Sequence, residues 1–348
     1  MTDATPRTES ARDRVNNYAA RAEDAFHEFR ERRARRRNYT EAIVAYAGYG
    51  STGWVRVLGR VLLTRQPAHH RHMQSTGANV RGWRSFTSIP VADAEVTVRL
   101  NGDRHVVTAD RGGVVDVVVE TELRPGWHTV SMQTAGSEVA EAMVFIVAPE
   151  AKIGIVSDID DTVMVTALPR PLLAAWNTFV LNEHARMPTP GMAVLLERLS
   201  KTHDGAPVIY LSTGAWNVAP TLTRFLTRNM YPAGALLLTD WGPTRDRWFR
   251  SGSEHKRNNL ARLAREFPHI RWLLIGDDGQ HDEEIYSEFA RHHPDHSAAI
   301  AIRELSVSEA VLAGGRSRDS NRGHSRTPMV YGPDGAGLAK KLEQLELL

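Results

Sequence analysis

The spacing of apolar and polar residues changes twice along this chain of 348 residues. Apolar residues recur three or four positions apart within residues 11–37, which predicts an amphipathic helix. Apolar residues recur every second position over much of residues 54–147, and this alternation predicts short strands. From residue 152 onward, apolar strand-like runs alternate with helical stretches, and this alternation predicts an α/β domain.

The β-rich part is predicted to be an antiparallel, immunoglobulin-like β-sandwich over residues 41–149, preceded by an Arg-rich, amphipathic helix within residues 1–40. Val96, Val98 and Leu100 alternate with polar neighbours, as in a strand that buries one face. Asn-Gly and Gly-Gly sequences between the runs are typical of tight turns. The predicted strands are Trp54–Leu63, Glu95–Leu100, His105–Ala109, Val114–Val119, Trp127–Gln133 and Ala140–Val147.

Two motifs in this part suggest chemistry that their surroundings do not support. Residues 48–53 fit the glycine pattern of a dinucleotide-binding turn, but a β-type run follows where a helix must bind pyrophosphate. We therefore expect no dinucleotide. His69, His70 and His72 lie in a polar stretch with no acidic companion, which favours a surface loop over a metal site.

The second half is predicted to be a doubly wound domain with a mainly parallel sheet over residues 150–313, followed by a polar stretch and a C-terminal helix over residues 314–348. In such a sheet, functional residues lie beyond the carboxyl ends of the strands. The predicted strands are Lys152–Ser157, Ala206–Leu211, Ala235–Leu238, Arg271–Ile275 and Ala298–Ile302. The predicted helices lie near Arg170–Leu181, Met192–Ser200, Val218–Arg228, Glu254–Glu266 and Glu283–His292.

Composition excludes several classes of protein. The net charge of +2 argues against a dedicated nucleic-acid-binding protein. The absence of cysteine excludes a thiol nucleophile and thiolate metal sites. The sequence contains no run of 18 apolar residues, so it predicts no membrane span. The first residues lack the apolar core of a secretory signal. We expect a cytoplasmic protein, with peripheral membrane contact as an added option.

The first strand of the α/β domain ends in a run of acidic residues, Asp-Ile-Asp-Asp-Thr at 158–162. Carboxylates this close repel one another, and burying them at a strand end requires a cation. An extended backbone places Asp158 and Asp160 on the same side, where one could attack phosphorus while the other transfers a proton. An EF-hand loop fails because Val163 replaces its glycine and Pro169 its final glutamate. A purely structural acidic turn is the alternative.

Three later segments carry further polar groups in the same order along the chain. Residues 212–214, Ser-Thr-Gly, offer a hydroxyl and amides at a predicted strand-to-helix turn, where they would hold a phosphate oxygen or only cap the helix. Lys256 follows His255 at the start of a predicted helix. Residues 276–282 form a second acidic cluster after a strand. Each segment is weak evidence alone, but chance rarely produces the ordered set.

This ordered set resembles the haloacid dehalogenase superfamily of phosphotransferases, and more narrowly the family of the actin patch protein that acts as a Mg²⁺-dependent phosphatidate phosphatase. The resemblance covers residues 150–305, and the β-rich part also looks similar to that of bacterial members. Ser-Thr-Gly-Ala-Trp replaces the usual Ser-x-Ser-Pro-Trp, and Gly-Asp-Asp-Gly replaces Gly-Asp-Ser-Gly. The segments that carry the resemblance are 158–162, 176–179, 190–192, 211–216, 255–256 and 275–286.

The resemblance implies a haloacid dehalogenase-like, Rossmann-like catalytic domain that works through an aspartyl-phosphate. Asp158 would attack phosphorus. Asp160 would protonate the leaving oxygen and then activate the hydrolytic water. Ser212 and Lys256 would bind the phosphoryl oxygens. The remaining expected phosphate-binding positions are Thr162, Thr213 and Gly214.

The resemblance also implies one Mg²⁺ ion bound by oxygen ligands. These would be the Asp158 carboxylate, the Asp160 backbone carbonyl and Asp277. Asp282, or failing it Asp278, would support the metal from a second position.

A phosphorylated lipid, phosphatidate, is the substrate that the resemblance implies. Four tryptophans of the catalytic half would form an apolar vestibule for acyl chains, namely Trp176, Trp216, Trp241 and Trp248. The alternative is that they pack in the core, as Trp272 could. The alternatives are a phosphatase of a soluble phosphomonoester and an inactive lipid- or protein-binding adaptor, although the catalytic set is complete. Six arginines within residues 30–37 would contact an anionic membrane or form a solvated face.

Overall fold

The computed structural model describes residues 29–65, 89–165, 187–239, 245–279, 281–312 and 326–348, excluding the side chains of residues 245–251 and 312. Several predicted features therefore lie outside the described residues. These are most of the N-terminal helix, the three histidines 69, 70 and 72, the helix near residues 170–181, Trp176, Trp241 and most of the polar stretch after residue 313.

An eight-stranded sheet forms the first part of the described chain. Its strands are β1 (Tyr39–Ser51), β2 (Trp54–Arg65), β3 (Ile89–Pro90), β4 (Glu95–Leu100), β5 (Asp103–Thr108), β6 (Val114–Glu120), β7 (Gly126–Gln133) and β8 (Ala140–Val147). Their order is β3-β2-β1-β8-β7-β4-β5, and β6 also pairs with β2. Buried side chains from β2, β4, β6, β7 and β8 share one apolar core.

This sheet is mixed, which corrects the prediction of a wholly antiparallel sandwich. β1 and β8 pair in parallel from Gly48 with Val144 to Ser51 with Val147, whereas the other pairs are antiparallel. Apolar periodicity identifies strands but carries no information about the direction of their partners. The sequence pattern therefore could not show the parallel pair.

The glycines of residues 48–53 serve a β-hairpin. Gly48 and Gly50 lie in β1, and a turn at residues 52–53 leads directly into β2. A Cβ atom at Gly50 would lie 2.2 Å from the carbonyl oxygen of Trp54, so the hairpin has no room for a side chain there. The expectation that this motif does not form a dinucleotide-binding turn is confirmed.

The described end of the N-terminal helix is attached to the β-sheet. Residues 29–35 are helical, and Ala34 is buried against the core of the sheet. Arg35 forms ion pairs with Glu31 at 2.9 Å and with Glu41 of β1 at 2.7 Å. Arg35 of the basic run is therefore engaged by the protein itself.

The second part contains a six-stranded, wholly parallel sheet, which confirms the predicted strand direction. A two-stranded ribbon, β10 (Met164–Val165) and β11 (Met187–Pro188), lies outside it. The six strands are β9 (Ile153–Ser157), β12 (Val208–Ala215), β13 (Ala235–Thr239), β14 (Arg271–Asp277), β15 (Ser297–Arg303) and β16 (Met329–Gly332). Their order is β13-β12-β9-β14-β15-β16, so the sheet continues past residue 313.

Helices follow most of these strands. They are α1 (Met192–Thr202), α2 (Ala219–Arg228), α3 (Arg245–Glu266), α4 (Asp282–His292), α5 (Val307–Leu312) and α6 (Gly335–Glu343). α3 begins at Arg245 instead of Glu254, because the polar residues at its start lack the apolar period on which the prediction depended. None of the described helices has the length and apolar character that crossing a membrane requires.

The chain changes direction across the sheet at β9. β9 lies between β12 and β14, because the chain first adds β12 and β13 on one side and then crosses to the other. In parallel sheets the carboxyl ends of the strands on either side of such a crossover form the usual ligand site. The crossover therefore brings together the ends of β9, β12 and β14, which carry the predicted polar groups.

The two parts of the protein pack together through aromatic and charged residues. Tyr49 and Trp54 contact Phe267, with ring centroids 5.9 and 5.4 Å apart. The Tyr49 hydroxyl donates a hydrogen bond to Glu266 at 2.8 Å, and Arg56 forms an ion pair with the same carboxylate at 2.5 Å. One apolar core spans both parts, so the β-rich part is integral to the fold.

Replacing Glu266 with alanine should destabilise the whole protein by about 1–3 kcal/mol, because Tyr49 and Arg56 would lose a partly buried partner. Chemical denaturation measures this change. Glu343→Ala is the matched control, since Glu343 forms an exposed ion pair with Arg198 that should contribute about 0–1 kcal/mol. Equal losses in the two variants would contradict the proposed importance of the contact between the parts.

Candidate active site

The acidic run after β9 forms a tight loop at the carboxyl edge of the parallel sheet. The Asp158 amide donates to the carbonyl of Ile275 in β14 at 2.9 Å. The amides of Val163 and Met164 both donate to the carbonyl of Ile159, at 2.9 and 3.0 Å. We call residues 158–164 the nucleophile loop, because it begins with the predicted nucleophile Asp158.

Lys256 joins two carboxylates inside the protein. Its Nζ atom lies 2.6 Å from Asp158 Oδ1 and 2.5 Å from Asp282 Oδ1. All three side chains are buried, with at most 3% of each exposed. Lys256 lies inside α3 and not at a helix start as predicted, since α3 begins earlier. The structure thus brings together three residues that are far apart in sequence.

The charges in this cluster do not balance. Burial raises the pKa of Asp158 well above its ordinary value, and the nearby carboxylates Asp282 and Asp160 add to the rise, although Lys256 opposes it. Burial works to lower the pKa of Lys256, but the charges of Asp158 and Asp282 outweigh it and raise that pKa. Lys256 therefore stays an ammonium ion, and its single positive charge does not neutralise the acidic residues around it.

Asp277, the last residue of β14, completes a group that could hold a divalent cation. Asp158, Asp277 and Asp282 each offer one carboxylate oxygen, and these oxygens lie within 4.8 Å of one another. The Oδ2 atom of each is buried and has no hydrogen-bond partner among the described residues. Buried polar atoms without partners are costly, and an oxygen-only set suits a hard divalent cation.

The pKa of Asp277 supports the same interpretation. Burial raises it well above the ordinary value, and the charges of Asp282, Asp158 and Asp161 raise it further, while Lys256 lowers it. A divalent cation would provide the positive charge that Lys256 alone does not.

Asp282, and not Asp278, approaches the acidic cluster. The Asp278 side chain accepts a hydrogen bond from the Leu305 amide at 2.9 Å, and it is not among the three carboxylates that converge. Asp282 is the first residue of α4, which packs closely on β14. A Cβ atom at Gly276 would lie 2.7 Å from the Cβ of Asp282, so glycine permits this approach. Between the two predicted alternatives, the geometry favours Asp282.

Ser212 lies beside Asp160 at the end of β12. Its hydroxyl donates to Asp160 Oδ2 at 3.0 Å and accepts from the Gly214 amide at 3.0 Å. β12 pairs irregularly with β13 between Leu211 and Ala215, so Ser212 lies in a distorted strand end. The predicted strand-to-helix turn is therefore wrong in detail, because β12 continues through Ala215.

The remaining predicted phosphate-binding residues are close to this strand end or to the nucleophile loop. Thr162 is fully buried, and its hydroxyl has no hydrogen-bond partner among the described residues. The carbonyls of Thr213 and Gly214 accept from the Thr239 hydroxyl at 3.0 and 3.2 Å. Contact of these residues with a phosphate stays a prediction.

Trp216 packs in the interior and does not rim an apolar vestibule, so of the two predicted alternatives core packing is confirmed for this residue. Its ring stacks on Tyr46 of β1 with centroids 4.8 Å apart, and the Tyr46 hydroxyl donates to its carbonyl at 3.2 Å. Trp272 is fully buried in the core. Trp176, Trp241 and the side chain of Trp248 lie outside the described residues.

A cavity of about 860 Å³ lies at the opposite end of the parallel sheet. Val208 and Ala235 line it at the amino ends of β12 and β13, and Trp127 and Phe145 line it from the β-rich part. None of the predicted site residues lines it. Because ligands of such sheets bind at the carboxyl ends of the strands, the cavity is separate from the candidate active site.

Two residues that contact the nucleophile loop were not singled out from the sequence. Arg303, at the carboxyl end of β15, donates to the Asp161 carbonyl at 2.6 Å. The Tyr231 hydroxyl donates to the Val163 carbonyl at 2.7 Å. The position of Arg303 at a strand end was an available signal, whereas Tyr231 lies in a loop after α2 without a motif.

Fold and site together define an α/β domain with a candidate divalent-cation centre at its crossover. Within that class, residues 153–304 match the family described as phosphatidate phosphatase APP1, catalytic domain. This match agrees with the resemblance to that family that was predicted from the sequence, and it covers the α/β domain.

Two curated proteins are similar to the chain. Phosphatidate phosphatase APP1 of Saccharomyces cerevisiae is 25% identical over 208 residues, covering 58% of this chain and 35% of the yeast protein. An uncharacterised protein of Schizosaccharomyces pombe is 28% identical over 154 residues, covering 44% of this chain and 25% of its own. The chain thus spans between a quarter and about a third of these relatives.

Two solved structures match the chain with low TM-scores. An immunoglobulin-like domain of the M. primoryensis ice-binding adhesin has 16% identity and a TM-score of 0.15. The match covers 32% of this chain and 96% of the adhesin chain. A carbohydrate acetylesterase of Xanthomonas citri has 10% identity and a TM-score of 0.25. The match covers 77% of this chain and 70% of the esterase chain. Neither score supports a fold assignment.

Proposed function

We propose that this protein is a Mg²⁺-dependent phosphatase that converts phosphatidate to diacylglycerol and phosphate through an aspartyl-phosphate on Asp158. The observation that carries the proposal is the buried cluster of Lys256 with Asp158, Asp277 and Asp282. This cluster lies within the residues that match the phosphatidate phosphatase family. The name of the yeast relative supplies the substrate, and its activity comes to this chain as a proposal.

In the first step, a carboxylate oxygen of Asp158 forms a bond to phosphorus while the bond from phosphorus to the diacylglycerol oxygen breaks. Asp160 gives its proton to that leaving oxygen. The Ser212 hydroxyl donates to Asp160 Oδ2 at 3.0 Å and orients the carboxyl group. The products are diacylglycerol and a phosphorylated Asp158.

In the second step, Asp160 takes a proton from a water molecule whose oxygen attacks the phosphorus. The bond from Asp158 to phosphorus breaks, so that phosphate leaves and the carboxylate is restored. Lys256 has three N–H donors, and Asp158 and Asp282 accept from it in the structure. A remaining donor would bind a phosphoryl oxygen, as Ser212 and the amides near it would.

Asp158, Asp277 and Asp282 would hold the Mg²⁺ ion, and the Asp160 backbone carbonyl is a further expected ligand. The ion supplies positive charge to the phosphoryl oxygens when it is bound. The fit depends on the three buried Oδ2 atoms that have no hydrogen-bond partner among the described residues.

A phosphatidate phosphatase must reach its substrate at the surface of a membrane. The arginines of residues 30–37 are the proposed contact with anionic lipid, in a cytoplasmic protein that associates peripherally. Ala34 is buried and Arg35 is paired with Glu31 and Glu41, so only part of this segment would serve that contact.

Asp158→Asn should abolish phosphate release, because an amide does not attack phosphorus, while the fold is kept. Asp160→Asn should lower kcat by about 10²–10⁴-fold, because the general acid and base is lost. Asp295→Asn is the control, since Asp295 is exposed and lies away from the site. A colorimetric phosphate assay with circular dichroism measures activity and fold. Asp158→Asn retaining more than about a tenth of wild-type activity would exclude Asp158 as the nucleophile.

Chelation of divalent metal should stop phosphate release, and Mg²⁺ should restore it more fully than Ca²⁺, because Mg²⁺ demands compact octahedral oxygen ligation. The assay is run on phosphatidate, lysophosphatidate, diacylglycerol pyrophosphate, nucleotides and sugar phosphates. We expect release from phosphatidate in mixed micelles. Full activity in excess chelator would contradict the metal assignment.

The same panel separates the alternative functions. Release from nucleotides or sugar phosphates, but not from the lipids, would identify a phosphatase of soluble phosphomonoesters. No release from any substrate, with vesicle binding retained, would indicate an inactive lipid-binding adaptor.

A further inference from the structure

We propose that Arg303 is a positioning residue, which acts on the reaction by fixing the backbone of the nucleophile loop. The inference deepens the proposed function and rests on it for its catalytic consequence. Arg303 is the last residue of β15, two strands away from β9 in the sheet. Its side chain is buried, with 5% exposed, and crosses from that strand to the loop.

The guanidinium group of Arg303 holds three oxygen atoms at once. Nη1 donates to the backbone carbonyl of Asp161 at 2.6 Å, and Nη2 donates to Glu309 Oε1 at 2.7 Å. Nε donates to the carbonyl of Pro333 at 3.4 Å. A planar fork of this kind fixes direction as well as distance. The contact with Asp161 therefore restrains the peptide that joins Asp161 to Thr162, one residue beyond Asp160.

The nucleophile loop needs such a restraint. Asp161 has a φ of 60°, in the left-handed region that a residue other than glycine rarely adopts. A backbone in this region persists only where the surrounding structure imposes it. The Asp161 amide donates to the Met164 carbonyl at 2.8 Å, and its carbonyl is held by Arg303. Both sides of the strained residue are thereby fixed.

Glu309 of α5 holds the guanidinium group in place. Its Oε2 atom accepts from the Ser306 amide at 2.8 Å, so the carboxylate is itself oriented by the backbone. Burial works to raise the pKa of Glu309, but the hydrogen bonds from Arg303 and Ser306 lower it overall. The pair is thus ionised at neutral pH. The chain of contacts runs from α5 through Arg303 to the carbonyl of Asp161, the residue that follows Asp160.

This placement matters because Asp160 must serve both steps of the reaction. A shift of the Asp161 peptide would move the adjacent Asp160 out of line with the leaving oxygen, whereas the binding of substrate would change less. Misplacement by about 1 Å can cost about 10²-fold in rate. We therefore expect loss of Arg303 to lower kcat and leave KM nearly unchanged.

Hydrogen–deuterium exchange tests the positioning role without any use of activity. Arg303→Lys keeps the charge but cannot bind Asp161 and Glu309 as a fork, and Arg303→Met removes the charge as well. Both variants should exchange faster than wild type in peptides that cover residues 158–164. Arg56→Met is the matched control, because Arg56 also makes a partly buried ion pair, with Glu266 at the C-terminal end of α3. It should leave exchange in residues 158–164 unchanged.

Kinetics on phosphatidate measure the catalytic consequence. We expect Arg303→Lys to lower kcat by about 10–100-fold with little change in KM. Glu309→Gln, which keeps an acceptor for Nη2, should show a smaller fall in the same direction. Arg56→Met should keep the wild-type kcat per folded molecule, even if its melting temperature falls.

The outcomes separate the positioning role from the proposed function. Unchanged exchange in residues 158–164 in Arg303→Lys would overturn the positioning role, whatever the activity. Faster exchange with a normal kcat would overturn its catalytic consequence. Faster exchange in a protein whose wild type hydrolyses no substrate would support the restraint and reject the phosphatase. If Arg303→Met does not fold, Arg303→Lys and Glu309→Gln decide the same question.

Discussion

The structure depends on an excess of buried negative charge at the carboxyl edge of the parallel sheet. Asp158, Asp277 and Asp282 converge there, and Lys256 is the cation that contacts two of them. Burying carboxylates beside one another is unfavourable unless positive charge and hydrogen bonds compensate. Such a cluster is better explained by a charged ligand and a metal ion than by stability. The free-energy cost of burying these carboxylates is therefore consistent with a ligand-binding role of the cluster.

The rest of the fold holds this cluster together from several directions. β9 and β14 bring Asp158 and Asp277 to the same edge, and Gly276 allows α4 to carry Asp282 close to them. α3 carries Lys256, and its later residues Arg262 and Glu266 bind Asp116, Tyr49 and Arg56 of the β-rich part. The β-rich part thus contacts the C-terminal end of the helix that supplies the central cation, and Tyr46 stacks on Trp216, which follows the Ser212 segment.

Much of this arrangement could be predicted from the sequence, because acidic and hydroxyl residues at the ends of apolar strands are a local signal. The parallel sheet and the positions of Asp158, Asp277 and Ser212 at its edge followed from that rule. β1 was not predicted, since its glycines resemble a loop, and β16 was not, since it is short and follows a polar stretch. Arg303 was not separated from the many other arginines, because only the fold shows which carbonyl it reaches. Likewise, burial of Trp216 depends on a contact with β1 that no local pattern contains.

Thermal melting with Mg²⁺ and with chelator, from about pH 5 to about pH 8, tests the central claim most directly. The raised pKa values of Asp158 and Asp277 mean that these groups keep their protons to a higher pH in the folded protein than in the unfolded chain. Their contribution to stability is therefore complete at low pH and is lost as the pH rises through the folded-state pKa values. Mg²⁺ binds the ionised carboxylates, so the rise in melting temperature that Mg²⁺ produces should grow with pH and disappear in Asp277→Asn. A rise that is absent, or that shrinks as the pH increases, would contradict the account.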